Sequence, residues 1–153
     1  MSMHYWSEEG YGLSGADFEK ADNTKLFRFI MDNATENITS HYNEMMESSD
    51  YDTPDISIFY DYEDDRGYTG ESLAFTEALN SYIIKKYGES KKMEFFHTGT
   101  NDYGSFAIIL YYSFPWEVPT FTKEEVDEVL CEVMRKIGVE DFQPECQSIE
   151  MWG

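Results

Sequence analysis

The sequence predicts an α+β fold. From residue 55 onward its elements run β-α-β-β-α-β, the order of the ferredoxin-like split βαβ unit. Three observations lead there. Apolar residues recur at helical spacing in three separate windows, about 24–47, 71–87 and 122–137. Between and after them lie short runs rich in β-branched and aromatic residues, bounded by turn residues. The run 106–112 is apolar on both faces, as the central third strand of such a sheet should be.

In chain order, residues 1–13 are rich in Tyr, Trp and Gly and read as a short strand or hairpin. Asn23 or Thr24 starts a helix, after which Phe27, Ile30, Met31, Ala34, Ile38, Tyr42, Met45 and Met46 keep helical spacing. The pattern allows one helix over 24–47, or two with a break near residue 35. Pro54 punctuates the acidic stretch 47–65, inside which Ile56, Ser57, Ile58, Phe59 and Tyr60 read as the first strand of the core. A helix over 71–87 follows, with Phe75, Leu79, Tyr82 and Ile83 on one face, Lys85 and Lys86 in its last turn and Gly88 after it. Residues 93–97 and 106–112 make the next two strands around a turn with Gly99, Asn101, Asp102 and Gly104. Thr122 and Glu125 form a capping box, with Phe121 and Val126 placed as a hydrophobic staple. That helix runs to Ile137 and stops at Gly138, and residues 146–152 supply an edge strand. At 153 residues the chain reads as one domain. Residues 1–48 would be an extension bearing a long helix, and 55–152 the split βαβ core.

Charge bounds the function. The chain carries 31 Asp and Glu against 11 Lys and Arg, a formal net charge of −20. Such a surplus opposes compaction, and low hydrophobicity with high charge is a mark of disorder. Yet 12 Tyr, 11 Phe and 3 Trp sit among the acids, and the apolar residues are periodic, so the chain is expected to fold. Its field repels nucleic acid and anionic membrane surfaces, and draws cationic proteins. Cys131 and Cys146 form no CxxC and no disulfide framework. No signal peptide or spanning segment is evident, so a cytoplasmic protein is expected, and the sequons at Asn33 and Asn37 are read as chance.

Familiar chemistry is missing. His4, His41 and His97 fall in no metal-binding spacing, and no GxSxG appears. Gly10, Gly12 and Gly15 spell GxGxxG, but without a preceding strand they read as a chance match in a turn. Asp61, Glu63 and Asp65 match the first ligands of a calcium loop; Arg66 stands where its glycine belongs and Ser72 where its bidentate Glu belongs, so the match fails. Lys85, Lys86, Lys91 and Lys92 are basic neighbours without a phosphate loop. No cofactor, metal or catalytic residue is expected, and the chain is not expected to be an enzyme.

Two acidic features remain. Glu47, Asp50, Asp52, Asp55, Asp61, Glu63, Asp64 and Asp65 precede the first base, Arg66, with Tyr51, Tyr60 and Tyr62 interleaved. Carboxylates here can pair with Lys and Arg of a partner while the tyrosines supply rigid contact area. Glu124, Glu128 and Glu132 recur every four residues, about 6 Å apart along one helix face. A polar outer face would look the same, but so would a row imitating phosphates.

In bulk charge, size and aromatic content the chain resembles nucleic-acid mimics and nuclease inhibitors: anti-restriction and anti-CRISPR proteins and the immunity proteins of nuclease toxins. The resemblance implies an inhibitor that blocks the basic channel of a nucleic-acid-binding protein. Its expected contacts are Asp50, Asp52, Asp55, Tyr60, Asp61, Tyr62, Glu63, Asp64 and Asp65, then Glu124, Glu128 and Glu132. Two other classes stay open: an assembly module whose charge serves solubility, and a small enzyme or ligand-binding domain on a ferredoxin-like sheet.

Overall fold

The computed structural model describes residues 4–48, 53–110 and 120–152. It is a mixed helix and strand fold around one four-stranded antiparallel sheet. The elements are β1 (Tyr5–Ser14), α1 (Gly15–Phe18), α2 (Asn23–Asp32), α3 (Glu36–Ser48), α4 (Glu71–Tyr87), β2 (Phe96–His97), β3 (Ala107–Leu110), α5 (Lys123–Lys136) and β4 (Glu145–Trp152), with 3-10 turns at Ile56–Phe59 and Glu89–Lys91. Among the described residues no helix is long and apolar enough to cross a membrane.

The strand expected at 56–60 does not form, so no split βαβ core begins at residue 55. Asp55 caps the segment instead: its carboxylate accepts from the Ser57 N–H at 2.9 Å and from the Ser57 hydroxyl, which winds Ile56–Phe59 into a 3-10 turn. Ile56, Ile58 and Phe59 are all buried while Tyr60 is exposed. That pattern has no period of two, so it cannot lie on a pleated sheet with one wet face.

The place in the sheet goes to the N-terminal segment, which is therefore a central strand and not an extension packed on a sheet. The order is β2-β3-β1-β4. β1 pairs with β4 from Tyr5↔Trp152 to Gly12↔Glu145 and with β3 from Tyr11↔Leu110 to Ser14↔Ala107. On one side Leu13, Ile108 and Leu110 join the main core with Phe29, Phe75, Leu79, Leu130 and other helix residues. Each such side chain contributes about 1.5–3 kcal/mol through burial.

A second, smaller apolar cluster lies on the other face. Ala107 and Ile109 of β3 are buried in one cluster with Ile149 of β4, and Met151 packs against it. Ile109 lies opposite Gly12, and Ile149 opposite Glu8. Four residues of flat strand would separate them by about 13 Å, so β1 bends between these positions. Gly10 and Gly12 mark the bend: a Cβ on Gly10 would stand 2.3 Å from the Leu110 carbonyl oxygen, and one on Gly12 2.1 Å from that of Ile108. Two glycines of the chance GxGxxG match, Gly10 and Gly12, thus lie in a strand and admit a second backbone, while the third, Gly15, opens α1 against the Phe106 ring. The curl brings the β2–β3 loop onto the outer end of β1 and β4. There the Gly99 N–H donates to Glu8 at 2.8 Å, the Asn101 amide to the Glu150 carbonyl at 3.2 Å, and the Trp152 indole to Asp102 at 2.9 Å.

The helices expected over 71–87 and 122–137 form with those bounds to within a residue, whereas the short helix Gly15–Phe18 was not expected. The pattern over 24–47 divides at Asn33, whose buried amide turns back onto the Phe29 carbonyl at 3.0 Å. Thr35 then accepts from the Ile38 N–H at 3.2 Å. The capping box of α5 is present in both directions, and Gly138 takes the positive φ of +93° that ends the helix.

Candidate functional site

The polar face of α3 is set by its sequence. Asn37, Ser40, His41 and Glu44 fall at helical spacing opposite the buried Ile38. Across from them the chain leaves the 3-10 turn and makes a tight reversal over 61–70. The Gly70 N–H bonds the Tyr62 carbonyl at 2.9 Å, Glu63 bridges Thr69, and Gly67 takes φ +87°. Together with α4 these elements enclose a hollow of about 440 Å³. It is lined by the α3 face, by Asp61, Tyr62, Glu63, Asp64 and Asp65 of the reversal, and by Glu77 of α4. Six carboxylates from three elements face one concavity.

They are not equivalent. Asp64 is built into the loop. Its Oδ1 accepts from the N–H groups of Arg66 at 2.9 Å and Tyr68 at 3.1 Å, and its Oδ2 accepts from Arg66 Nε at 2.9 Å. Burial alone would raise its pKa, but the Arg66 side chain and these N–H groups outweigh it and hold Asp64 below the usual carboxylate range. Arg66 lies in turn 4.7 Å from the Tyr68 ring centre. Asp61, Glu63 and Asp65 are exposed. Asp61 comes within 3.2 Å of His41 Nε2, and the same nitrogen is 2.8 Å from the Ile58 carbonyl. A carbonyl can only accept, so that nitrogen carries the proton. The His41 ring stacks on Phe59 and meets Tyr62 edge-on at 5.2 Å.

Glu77 forms the floor. The Tyr62 hydroxyl donates to its carboxylate. Burial pushes the Glu77 carboxyl above its ordinary value, hydrogen bonds from Tyr62 and Asn37 work against that, and the charges of Asp64 and Asp65 push it further up. The Tyr62 hydroxyl is raised as well, by burial first and then by Glu77. Such a floor is short of positive charge, and an arriving ammonium or guanidinium would relieve it. Among the described residues no three acidic, His or Cys groups converge as a metal-ligand set.

Of the expected contacts, Asp61, Tyr62, Glu63, Asp64 and Asp65 are brought together in the hollow. Asp50 and Asp52 lie outside the described residues. Asp55 faces its own turn, where the Ser57 side chain and then the Ser57 N–H lower its pKa. Tyr60 is exposed beside the hollow without lining it. The row on α5 is broken. Glu124 and Glu128 are exposed, but Glu132 is half-buried and takes hydrogen bonds from the Tyr82 hydroxyl and from Lys86. Their neighbour Glu125 is paired with Lys91 at 2.8 Å.

Glu44, Glu77 and His41 were not expected in the site. The 37/40/41/44 polar stripe announces two of them. Glu77 stands out as the one carboxylate in the interior of α4, between Phe75 and Leu79 of the core.

A second polar pair emerges only in three dimensions. His97 Nδ1 lies 2.6 Å from the Thr98 carbonyl and must carry the proton, leaving Nε2 to accept from the Ser72 hydroxyl at 2.8 Å. Both residues are buried, the ring stacks on Phe106 at 4.6 Å, and the pair ties β2 to the first turn of α4.

Comparison with known proteins gives no match: no family model, no curated protein and no solved structure is significantly similar to this chain.

Proposed function

We propose that the protein is an inhibitor that binds the basic nucleic-acid channel of another protein, its carboxylates standing in for phosphates. One observation carries the reading: carboxylates from α3, the 61–70 reversal and α4 face a single hollow. Glu44, Asp61, Glu63 and Asp65 would receive Lys or Arg side chains at its rim and Glu77 at its floor, with Tyr60 and Tyr62 alongside. The class spans anti-restriction, anti-CRISPR and nuclease-immunity proteins acting in the cytoplasm. Occupancy alone inhibits, so no catalytic group is required. The fold reading that accompanies it is a ferredoxin-like variant; the order β4-β1-β3-β2, with the first and third strands central, supports it. α1 to α3 would then be insertions after the first strand.

The test is affinity capture from the native host at low and high salt, followed by titration of the captured protein. Reversal of Asp61, Glu63 and Asp65 to Lys should weaken binding at least tenfold, and raising salt from about 50 to about 500 mM should do the same. Asp64 is left intact, because its loss would open the loop. A salt-insensitive complex, or one indifferent to the reversal, would refute the reading.

A second reading, an assembly module, has its own observation. Tyr5 is 71% and Tyr103 82% exposed, and both rings meet Trp152, at 6.5 and 5.6 Å. If this end docks a partner, Tyr103→Ala should disrupt the complex at every salt concentration.

A further inference from the structure

On so anionic a chain the placement of the few cations is informative. Several are spent on carboxylates: Lys20 on Asp17, Arg66 on Asp64, Lys86 on Glu132, Lys91 on Glu125 and Lys123 on Asp127. Lys25, Arg28 and Lys136 make no ion pair with any described carboxylate. All three nevertheless border one cavity of about 300 Å³ between α2 and the ends of α4 and α5. A single carboxylate, Asp32, shares the lining. Three like charges gathered on one hollow repel one another, and an anion bound between them would remove that cost.

The floor is aromatic and held in place. Phe29 is buried, and its ring lies 5.9 Å from that of Tyr82 at a tilt of 53°. Glu132 accepts from the Tyr82 hydroxyl and from Lys86, which fixes the Tyr82 ring. Lys136 Nζ stands 5.8 Å from the centre of that ring. Lys85 Nζ reaches the Asp32 carbonyl at 3.1 Å and the Asn33 side chain at 3.5 Å, so the remaining wall is ordered too. Such a volume suits a small ligand.

We propose that this cavity binds a small aromatic phosphate of the nucleoside monophosphate class, its phosphate at Lys25, Arg28 and Lys136 and its ring against Phe29 and Tyr82. Counted over the lining residues, three cations against one carboxylate leave the positive balance that a phosphate monoester calls for. A nucleic-acid strand is a different ligand: its many phosphates would meet the acids of the whole surface, whereas one phosphate feels mainly charges within a screening length of about 8 Å at physiological salt. The site is separate from the acidic hollow, which shares none of its lining residues.

The experiment is an NMR titration of the full chain with adenosine monophosphate, adenosine and inorganic phosphate. The monophosphate should give saturable shifts at Phe29, Asn33 and Tyr82, and should bind at least tenfold more tightly than either fragment. Arg28→Ala with Lys136→Ala should weaken it at least tenfold while the melting temperature and the remaining spectrum stay put. Reversal at Asp61, Glu63 and Asp65 should leave it unchanged, which separates this proposal from the inhibitor reading. Absence of saturable shifts at millimolar ligand, phosphate binding as tightly as the monophosphate, or indifference to the double variant would each overturn it.

Discussion

Glu77 and His97 are ionisable groups whose burial gives opposite pH dependences. Glu77 has a raised pKa in the folded chain, so folding favours its protonated form. Its stabilising contribution is complete below the unfolded value near 4.5 and is lost as pH rises through the folded value. Glu77→Gln keeps an acceptor for Tyr62 without the charge. It should be more stable than the parent at pH 7 and lose that advantage near pH 4, as urea titrations at both pH values would show. For His97, burial lowers the pKa first, the Thr98 carbonyl raises it, Arg66 lowers it and Asp64 raises it, with a net decrease. The unfolded chain therefore takes up this proton first. Stability should fall as pH drops below about 6.5, and the slope should flatten in His97→Gln. Ser72→Ala should cost about 1 kcal/mol by removing the donor to His97.

At the scale of elements, the bend of β1 and the cap of α5 make contrasting cases. A Cβ at Gly12 would press on the backbone of β3, which cannot yield as a flexible side chain would. Gly12→Ala should cost about 2–3 kcal/mol or more, read by chemical denaturation. Thr122→Ala removes a local cap and should cost about 1 kcal/mol. The capping box is legible because its partners are three residues apart. The bend was missed because its cause is Ile108 and Leu110, nearly a hundred residues away in sequence. The segment 56–60 misled for a related reason: its residues are strand formers, but β1 and β4 satisfy each other's ladder, and Asp55 offers the segment its own turn.

Across the whole molecule the −20 charge should act on stability as well as binding. Self-repulsion opposes the compact state, and screening relieves it, so the melting temperature should rise by several degrees between about 10 and about 200 mM salt. A fall would mean that the internal ion pairs outweigh the repulsion. The acids do not act as one sheet of charge: Asp55 and Asp64 serve as backbone caps, Glu125 and Glu132 hold lysines, and Glu44, Asp61, Glu63 and Asp65 face the hollow.

The sequence alone determined the mixed helix and strand class, the helices at 71–87 and 123–136 with their ends, and the acidic stretch that lines the hollow, because capping, helical spacing and composition act over a few residues. Tertiary structure alone decided that residues 5–14 take a central place in the sheet. It also set Glu77 and His41 beside Asp61, and gathered Lys25, Arg28 and Lys136 around the rings of Phe29 and Tyr82. Those outcomes depend on which distant backbones and charges share space, and a local pattern carries no record of that.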